Sequence, residues 1–474
     1  MNNAIVRIES ISIHNFKNIV NGSIDLTNKK KGLKASILGL YGQNGSGKTA
    51  LIDAIQLLQC TLQGRKVPSA FAECINVEAQ HARLSFSFWV NNSIGTYHAT
   101  YSFSLRKEKD ETTQNALSIS DTTNYRACIF DEELRCSFES ADEKVRVSPV
   151  MDTKTEEIFV PRSKYKLLIG SNKATAMDLL VAKRIAAAEA RSFLFSRELI
   201  SIIHANKQEI GLSSEARRYM ELIENLVAYG NHELFIINNA NSGLTSLNAQ
   251  SLAFKYVEKN MGVFSTFTVP LEKPTVIPIE ETQFFRKVIE SMNIVLQQII
   301  PGLTIRITSL GNQLMENGKQ GERIQLVSQK HSHSIPLQYE SEGIKRIVSI
   351  LQLLIVVYNQ PSATIAVDDL DSGIFEYLLG EILRIISENG KGQLIFTSHN
   401  LRPLETLDKR FIAFTTTNPE NRYIRMINVK ENNNLRDLYY RDIMLGEQNE
   451  ELYEPTNNSE IALAFHEAGA LSGS

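Results

Sequence analysis

Gly42-Gln43-Asn44-Gly45-Ser46-Gly47-Lys48-Thr49 is the stretch on which the reading of this chain turns. It satisfies the pattern G-x-x-x-x-G-K-[ST], and its flanks are those the pattern needs. The apolar, β-branched run Ala35 to Tyr41 reads as a strand before it, and Thr49 to Cys60 carries apolar residues at helical spacing after it. Glycines let the backbone N–H groups from Asn44 to Gly47 curl around a phosphate, and the helix that follows adds the partial positive charge of its N-terminus. Lys48 is placed to reach the β- and γ-phosphates, and the Thr49 hydroxyl to ligate Mg²⁺. The stretch predicts a site for ATP with Mg²⁺. By itself it leaves open whether the triphosphate is hydrolysed, sensed or transferred.

A chain of 474 residues with 43% apolar and 22% charged residues has room for two to four domain-sized units and a large core. A net charge of −3 and a pI near 6.4 give no overall basic field of the kind nucleic-acid binders carry, although a local basic groove stays open. The cysteines, Cys60, Cys74, Cys128 and Cys136, show no C-x-x-C spacing and no histidine at metal-ligand spacing, which reads as reduced thiols. The first residues lack a charged-then-apolar leader, and the longest apolar stretch, Ile350 to Tyr358 with Gln352 inside it, is too short to cross a bilayer. The expectation is a cytoplasmic protein with no membrane partner.

Periodicity divides the chain at about 110, 275 and 430. Residues 1–110 read as strands around the phosphate loop and its helix: Ala4 to His14, Ala35 to Tyr41, and a hairpin of Ala82 to Val90 with Gly95 to Arg106. In 111–275 the signal weakens. Lys107 to Asn124 is loop-like, and Lys173 to Asn206 with Ser213 to Tyr229 carry helical spacing, so a helical insertion or arm is expected. Residues 276–430 return to α/β alternation: a helix from Glu280 to Ile300, strands at Leu303 to Leu310 and Arg323 to Lys330, and a helix opened by Ser341-Glu342-Gly343 and ended near Pro361. Residues 431–474 read as a helical extension and a tail. In that extension Asn434 to Leu445 is rich in arginine and tyrosine, which fits a helix packed on the body or a docking element.

Ala363-Thr364-Ile365-Ala366-Val367-Asp368-Asp369 is an apolar strand that delivers carboxylates at its C-terminal end, where parallel sheets bind ligands. Given the phosphate loop, Asp368 is the candidate Mg²⁺ ligand alongside Thr49, and Asp369 the candidate for the attacking water. A second buried strand, Gly392 to Thr397, brings Ser398-His399-Asn400 to the same edge, with His399 as a γ-phosphate sensor.

The order Walker A (Gly42 to Thr49), Ser341-Glu342-Gly343, Walker B (Ile365 to Asp369), Asp371-Ser372-Gly373 and His399 resembles the ATP-binding-cassette ATPases of the SMC, RecF and OLD type. The opening Ile11-Ser12-Ile13-His14-Asn15-Phe16-Lys17-Asn18 is similar to their first strand, and the resemblance places Lys17 near the nucleotide. It implies an α/β ABC-ATPase head, a P-loop NTPase sheet with an antiparallel β-subdomain, split by an α-helical insertion. The short insertion and the S-x-G signature look like the OLD-like ATPases of bacterial anti-phage operons, exemplified by PARIS, AbiL, Septu and retron ATPases. Such ATPases work with a nuclease or toxic effector. Only about 75 residues follow His399, with no acidic constellation for a nuclease, so the effector is expected to be a separate chain.

The resemblance further implies a head-to-tail homodimer or higher oligomer, with Ser341 and Gly343 of one copy closing on the other's γ-phosphate. The catalytic set it implies is Asp369, His399 and Lys48. One departure stands out: Asp369 occupies the position of the usual Walker B glutamate. A carboxylate one methylene shorter lies farther from the lytic water, so hydrolysis is expected to be slow. Asp371 either shares that role or caps the Ser372-Gly373 turn. Lys345 and Arg346 help at the phosphate or are solvated helix residues. The alternative reading is a RecF-like, ATP-dependent DNA-binding clamp of replication or repair, which makes DNA a second candidate partner.

Overall fold

The computed structural model describes residues 4–27, 34–109, 125–207, 213–238, 251–256, 265–315, 318–426, 434–446 and 448–471. The chain opens with β1 (Ile5–Phe16) and β2 (Ile19–Asp25), then β3 (Ser36–Tyr41), the phosphate loop and α1 (Lys48–Leu62). Four long strands follow: β4 (His81–Asn92), β5 (Gly95–Lys109), β6 (Tyr125–Glu139) and β7 (Lys144–Asp152). With β1 and β2 they make a six-stranded antiparallel sheet in the order β2-β1-β4-β5-β6-β7. Alternate residues of β4 are buried, the pattern of a sheet with one face on the core.

Four helices come next: α2 (Arg162–Ile169), α3 (Lys173–Ala188), α4 (Arg197–Lys207) and α5 (Ser214–His232). They lead into β8 (Leu234–Ile237) and a two-stranded ribbon of β9 (Ser251–Tyr256) and β10 (Ser265–Pro270). Next, β11 (Thr275–Pro278), α6 (Ile279–Ile299), β12 (Leu303–Leu314), β13 (Gln320–Lys330) and β14 (His333–Pro336) build a small antiparallel sheet with its helix. The remaining elements are α7 (Glu342–Asn359), β15 (Thr364–Val367), α8 (Glu376–Asn389), β16 (Gln393–Thr397), α9 (Arg402–Thr406), β17 (Ile412–Thr415), β18 (Tyr423–Ile424), α10 (Leu435–Leu445) and α11 (Asn458–Leu471).

The site is organised by a second six-stranded sheet, ordered β18-β17-β3-β16-β15-β8, in which every pairing except β17 with β18 is parallel. Its strands are short and apolar because both faces are covered; all six residues of β3 are buried. Alternation along β3 divides the interior. Leu38 and Leu40 join a core shared with α1, α5 and the antiparallel sheet. Ile37 and Tyr41 join a second core with α6, α7 and α8.

The segment from 111 to 275 departs from the helical insertion expected. Residues 110–124 lie outside the described residues, but β6 and β7 extend the antiparallel sheet and β8 pairs with β15 in the parallel one. Nor does α5 project as an arm: Tyr219, Leu226 and Tyr229 are buried, and the Tyr229 ring stands edge-on to Phe88 at 6.2 Å. The stretch Asn434 to Leu445 is a helix packed on the body, with Tyr439 stacked on Phe414 at 4.9 Å. Of the tail expected at the end of this extension, residues up to Leu471 belong to the helix α11, and 472–474 lie outside the described residues. No described helix is long and apolar enough to cross a membrane.

Candidate nucleotide site

β3, β15, β16 and β17 run parallel, so Tyr41, Val367, Thr397 and Thr415 all end at one sheet edge, where a parallel sheet collects its ligand-binding loops. The phosphate loop leaves β3 with Gly42 at φ 151°, and a Cβ there would lie 1.8 Å from Thr415 Oγ1. Only glycine fits that approach. Ser46 Oγ donates to the Gln43 carbonyl at 2.6 Å and pairs with Thr415 Oγ1. α1 has no acidic residue of its own in its first turn, which leaves the positive end of its dipole open to an anion at the loop.

Lys48 is buried, and its Nζ donates to the carbonyls of Gly42 at 2.8 Å and Gln43 at 3.0 Å. Burial lowers its pKa, against the raising influence of Asp369, Asp368 and Asp371. Thr49 Oγ1 donates to Asp368 Oδ2 at 3.0 Å, and Thr397 Oγ1 donates to Asp368 Oδ1 at 2.6 Å. Burial pushes the Asp368 pKa up, opposed by those two hydrogen bonds. A hydroxyl and a carboxylate side by side are hard oxygen donors suited to Mg²⁺, which takes one or two protein ligands with water and phosphate. Among the described residues no three His, Cys, Asp or Glu side chains gather to hold a metal alone.

Asp369 stands at φ 46°, a left-handed conformation that aspartate tolerates better than most residues. Its N–H donates to Thr397 Oγ1 at 2.8 Å, and Arg346 donates from α7 to the carbonyls of both Asp368 and Asp369 at 2.9 Å. The Asp369 carboxylate is half exposed, and His399 Nε2 lies 4.0 Å from its Oδ1. The Asp371 carboxylate accepts from the backbone N–H groups of His399 (3.2 Å) and Asn400 (3.0 Å). Of the two readings of Asp371, a structural one fits, though the turn it caps carries His399 rather than Ser372 and Gly373.

Ser341 is the exposed N-cap of α7, accepting from the Ile344 N–H at 3.3 Å. Gly343 abuts Gly373, whose carbonyl oxygen would be 2.3 Å from a Cβ on Gly343. Signature and post-Walker B loops thus meet backbone to backbone. Lys345 and Arg346 are neither solvated nor free to bind phosphate. Both are buried; Lys345 pairs with Glu272 at 2.9 Å and Glu342 at 2.5 Å, and Arg346 braces the end of β15 as described above.

Lys17, expected near the nucleotide, is ion-paired with Asp53 of α1. Sequence reasoning missed the residues around it. Asn18 Nδ2 donates to the Gly45 carbonyl, Arg422 donates to the Asn18 carbonyl at 2.5 Å, and Tyr423 Oη donates to the Gly47 carbonyl at 3.0 Å. Gln43 Oε1 accepts from the Glu454 N–H at 2.9 Å. Arg422 and Tyr423 belong to no motif; an Arg-Tyr pair at the start of a short edge strand gives no signal before the fold brings it to the loop.

Fold and site define a P-loop head of mixed α/β class, with a parallel sheet, an antiparallel sheet and their helices, the fold class expected of the sequence. Residues 10–226, a little under half of the chain, match the family described as AAA domain. Among solved structures, the chain is similar to an SMC head bound to the C-winged helix domain of ScpA, at 12% identity over 88% of this chain and 98% of that chain, TM-score 0.35. It is similar to the SMC head domain from Thermotoga maritima, at 14% identity over 89% and 99%, TM-score 0.35. A third is the recombination mediator protein RecF with ATP, at 14% identity over 83% and 94%, TM-score 0.34. No curated protein matches the chain.

Proposed function

We propose that this chain is an ATP-binding, slowly hydrolysing SMC- and OLD-like ATPase that dimerises head to tail around ATP and controls a separate nuclease or toxin in anti-phage defence. The observation that carries the ATPase reading is the meeting of four motif side chains at one sheet edge: Thr49 on Asp368, and His399 beside Asp369. In this reading Asn44 to Gly47 and Lys48 hold the triphosphate. Thr49 and Asp368 hold Mg²⁺, which when bound would neutralise charge shared by the β- and γ-phosphates. Asp369 orients the water and His399 contacts the γ-phosphate. Lys17 acts as a positioning residue by fixing Asp53 on α1.

Two features support slow turnover. The Asp369 carboxylate is short, and it is half exposed to water beside His399. Dimerisation is supported by where Ser341 sits: an exposed N-cap on an 18-residue helix is an anion-binding end turned to solvent, available to a second copy. The effector is the remaining expectation, and it rests on the resemblance of the sequence to ATPases that work with a separate effector.

Sedimentation and ATP hydrolysis of the full chain, with and without ATP and Mg²⁺, test the switch. ATP-dependent dimerisation with turnover below about one per second, the low end of ordinary enzymes, is expected. Copurification of a second protein with the natively expressed chain supports effector control. ATP- and salt-dependent DNA binding without such a partner would favour the RecF-like clamp instead.

A further inference from the structure

The phosphate loop is held from one more side than its own motif accounts for. Residues 448–454, which follow α10, lie along the turn between β17 and β18 as a strap fastened at several points. The Glu450 carboxylate accepts from two side-chain amides of that turn, Asn421 Nδ2 at 2.8 Å and Asn418 Nδ2 at 3.0 Å, and these bonds hold its pKa below the usual carboxylate value. The Thr417 N–H donates to the Glu451 carbonyl at 2.8 Å, and Leu452, 2% exposed, is sunk in the core that also holds Tyr41 and Phe414. The Glu454 N–H then reaches Gln43 Oε1 at 2.9 Å.

The places where the strap is fastened are those that shape the loop. The turn it clasps, 416–421, joins Thr415, which pairs with Ser46 behind Gly42, to Arg422 and Tyr423, which donate to the carbonyls of Asn18 and Gly47. Gln43 is the loop residue whose carbonyl accepts from both Ser46 Oγ and Lys48 Nζ. The motif leaves position 43 open to any side chain, so that side chain is available for a contact particular to this chain. The strap therefore meets the loop directly at Gln43 and indirectly through the braces at both ends of the turn. A phosphate loop must hold its N–H groups converged before the anion arrives, and each contact that fixes it raises the fraction of chains ready to bind.

We propose that residues 448–454 position the phosphate loop for the triphosphate, with the Glu450 carboxylate and the Glu454 N–H as the positioning groups, an inference that rests on the reading of the loop as an ATP site. Their action runs through the 416–421 turn and through Gln43. ATP affinity and the seating of the strap are then one linked equilibrium. Linkage is reciprocal, so a strap that tightens ATP binding is itself tightened by ATP by the same factor.

The test uses the full chain. Gln43→Ala, which deletes the acceptor, and Glu454→Pro, which deletes the donor, should each weaken ATP binding by isothermal titration about fivefold, the scale of one neutral hydrogen bond. Combined, they should weaken it no further than either alone, because both remove the same bond. Glu450→Ala leaves the loop's own sequence intact and should weaken binding about threefold to tenfold by releasing the turn. In the unsubstituted chain saturating ATP should slow hydrogen exchange at the Glu454 amide about fivefold, an effect lost in Gln43→Ala. A strap with only a structural role would lower the thermal midpoint of these variants while leaving ATP affinity and ATP-dependent exchange unmoved; that result, or losses from Gln43→Ala and Glu454→Pro that multiply, overturns the proposal. ATP bound by the unsubstituted chain and lost in Lys48→Ala, with the strap variants unaffected, removes the strap alone. No ATP binding by the unsubstituted chain removes the site reading and the strap with it.

Discussion

The phosphate loop and the signature end of α7 are built on opposite terms. The loop is braced by four distant parts of the chain: Thr415 behind Gly42, Asn18 on Gly45, Tyr423 on Gly47, and Asp368 on Thr49. The signature turn has Ser341 in solvent, its hydroxyl bonded to its own helix, with Gly373 packed on Gly343 and Lys345 tying Glu342 to Glu272 behind it. One half of the site is completed within the chain and the other is presented outward. A composite site shared between two copies is the economical reading of that asymmetry, and the variants below probe each half.

The largest effect is expected at the braced half. Lys48→Ala removes the cation facing the β- and γ-phosphates, a charge-assisted contact of about 2–3 kcal/mol or more once desolvated, so ATP affinity by isothermal titration should fall roughly 100-fold. Fold and thermal midpoint should hold, since Nζ bonds only its own loop carbonyls. Unchanged affinity would remove the loop from the site.

At the hinge between the halves, Asp369→Asn should keep ATP binding and lose about 100-fold in single-turnover hydrolysis, the scale of a misplaced general base. Asp369→Glu should keep or raise turnover through its longer reach. Asp371→Asn is expected to cost less, about tenfold or under, by loosening the His399 turn. A full loss with Asp371→Asn and none with Asp369→Asn would move the catalytic role two residues along.

The outward half is tested by Ser341→Arg. The site is exposed, so each monomer should bind ATP normally yet fail to close on a second copy, with turnover falling accordingly. Mixed with Lys48→Ala chains, it should regain at most one of two composite sites. Normal turnover by Ser341→Arg alone would place the whole site within one chain.

The smallest effect is a pH dependence. Lys48 binds phosphate as the ammonium, and burial holds its pKa below 10.5. ATP affinity should therefore be full on the acid side and fall as pH rises through that lowered value. Asp369→Asn removes an anion that raises the Lys48 pKa, so the fall should begin at lower pH; an unmoved profile would separate the two groups.

Motifs that are local in sequence were legible: the phosphate loop, the acidic end of β15 and His399 each follow a buried strand that reads as one. The helices after 173 and 213 were also legible, but as an arm. What hid their packing was β6, where Asp131, Glu132, Glu133 and Arg135 dilute the apolar signal of a strand even though Glu132 is buried, accepting from Tyr101, Ser192 and the N–H groups of Phe193 and Leu194. Thr415 and Arg422 were silent because Thr415 meets Ser46 across 369 residues and Arg422 meets Asn18 across 404, separations no window spans; Asn18 lies only 27 residues before Gly45, but nothing in its residue type points to the loop. Arg346 was not readable: Glu342, Lys345, Ser349 and Gln352 recur along one side of α7 beside it, a polar stripe that in sequence reads as a solvated face, and only the fold buries it.

The contact of Gly343 with Gly373 has a mechanical consequence. With no side chain between them, the two turns have no compressible layer, and a shift at the α7 N-terminus displaces Gly373 directly. Two residues earlier, Asp371 grips the backbone of His399 and Asn400, and at the other end of the first turn of α7 Arg346 grips the carbonyls of Asp368 and Asp369. The helix end, the acidic turn and the histidine turn are therefore one stiff linkage. In the proposed dimer, a push at Ser341 would travel through this linkage to Asp369 and His399, so that contact between copies and the timing of hydrolysis would be one event.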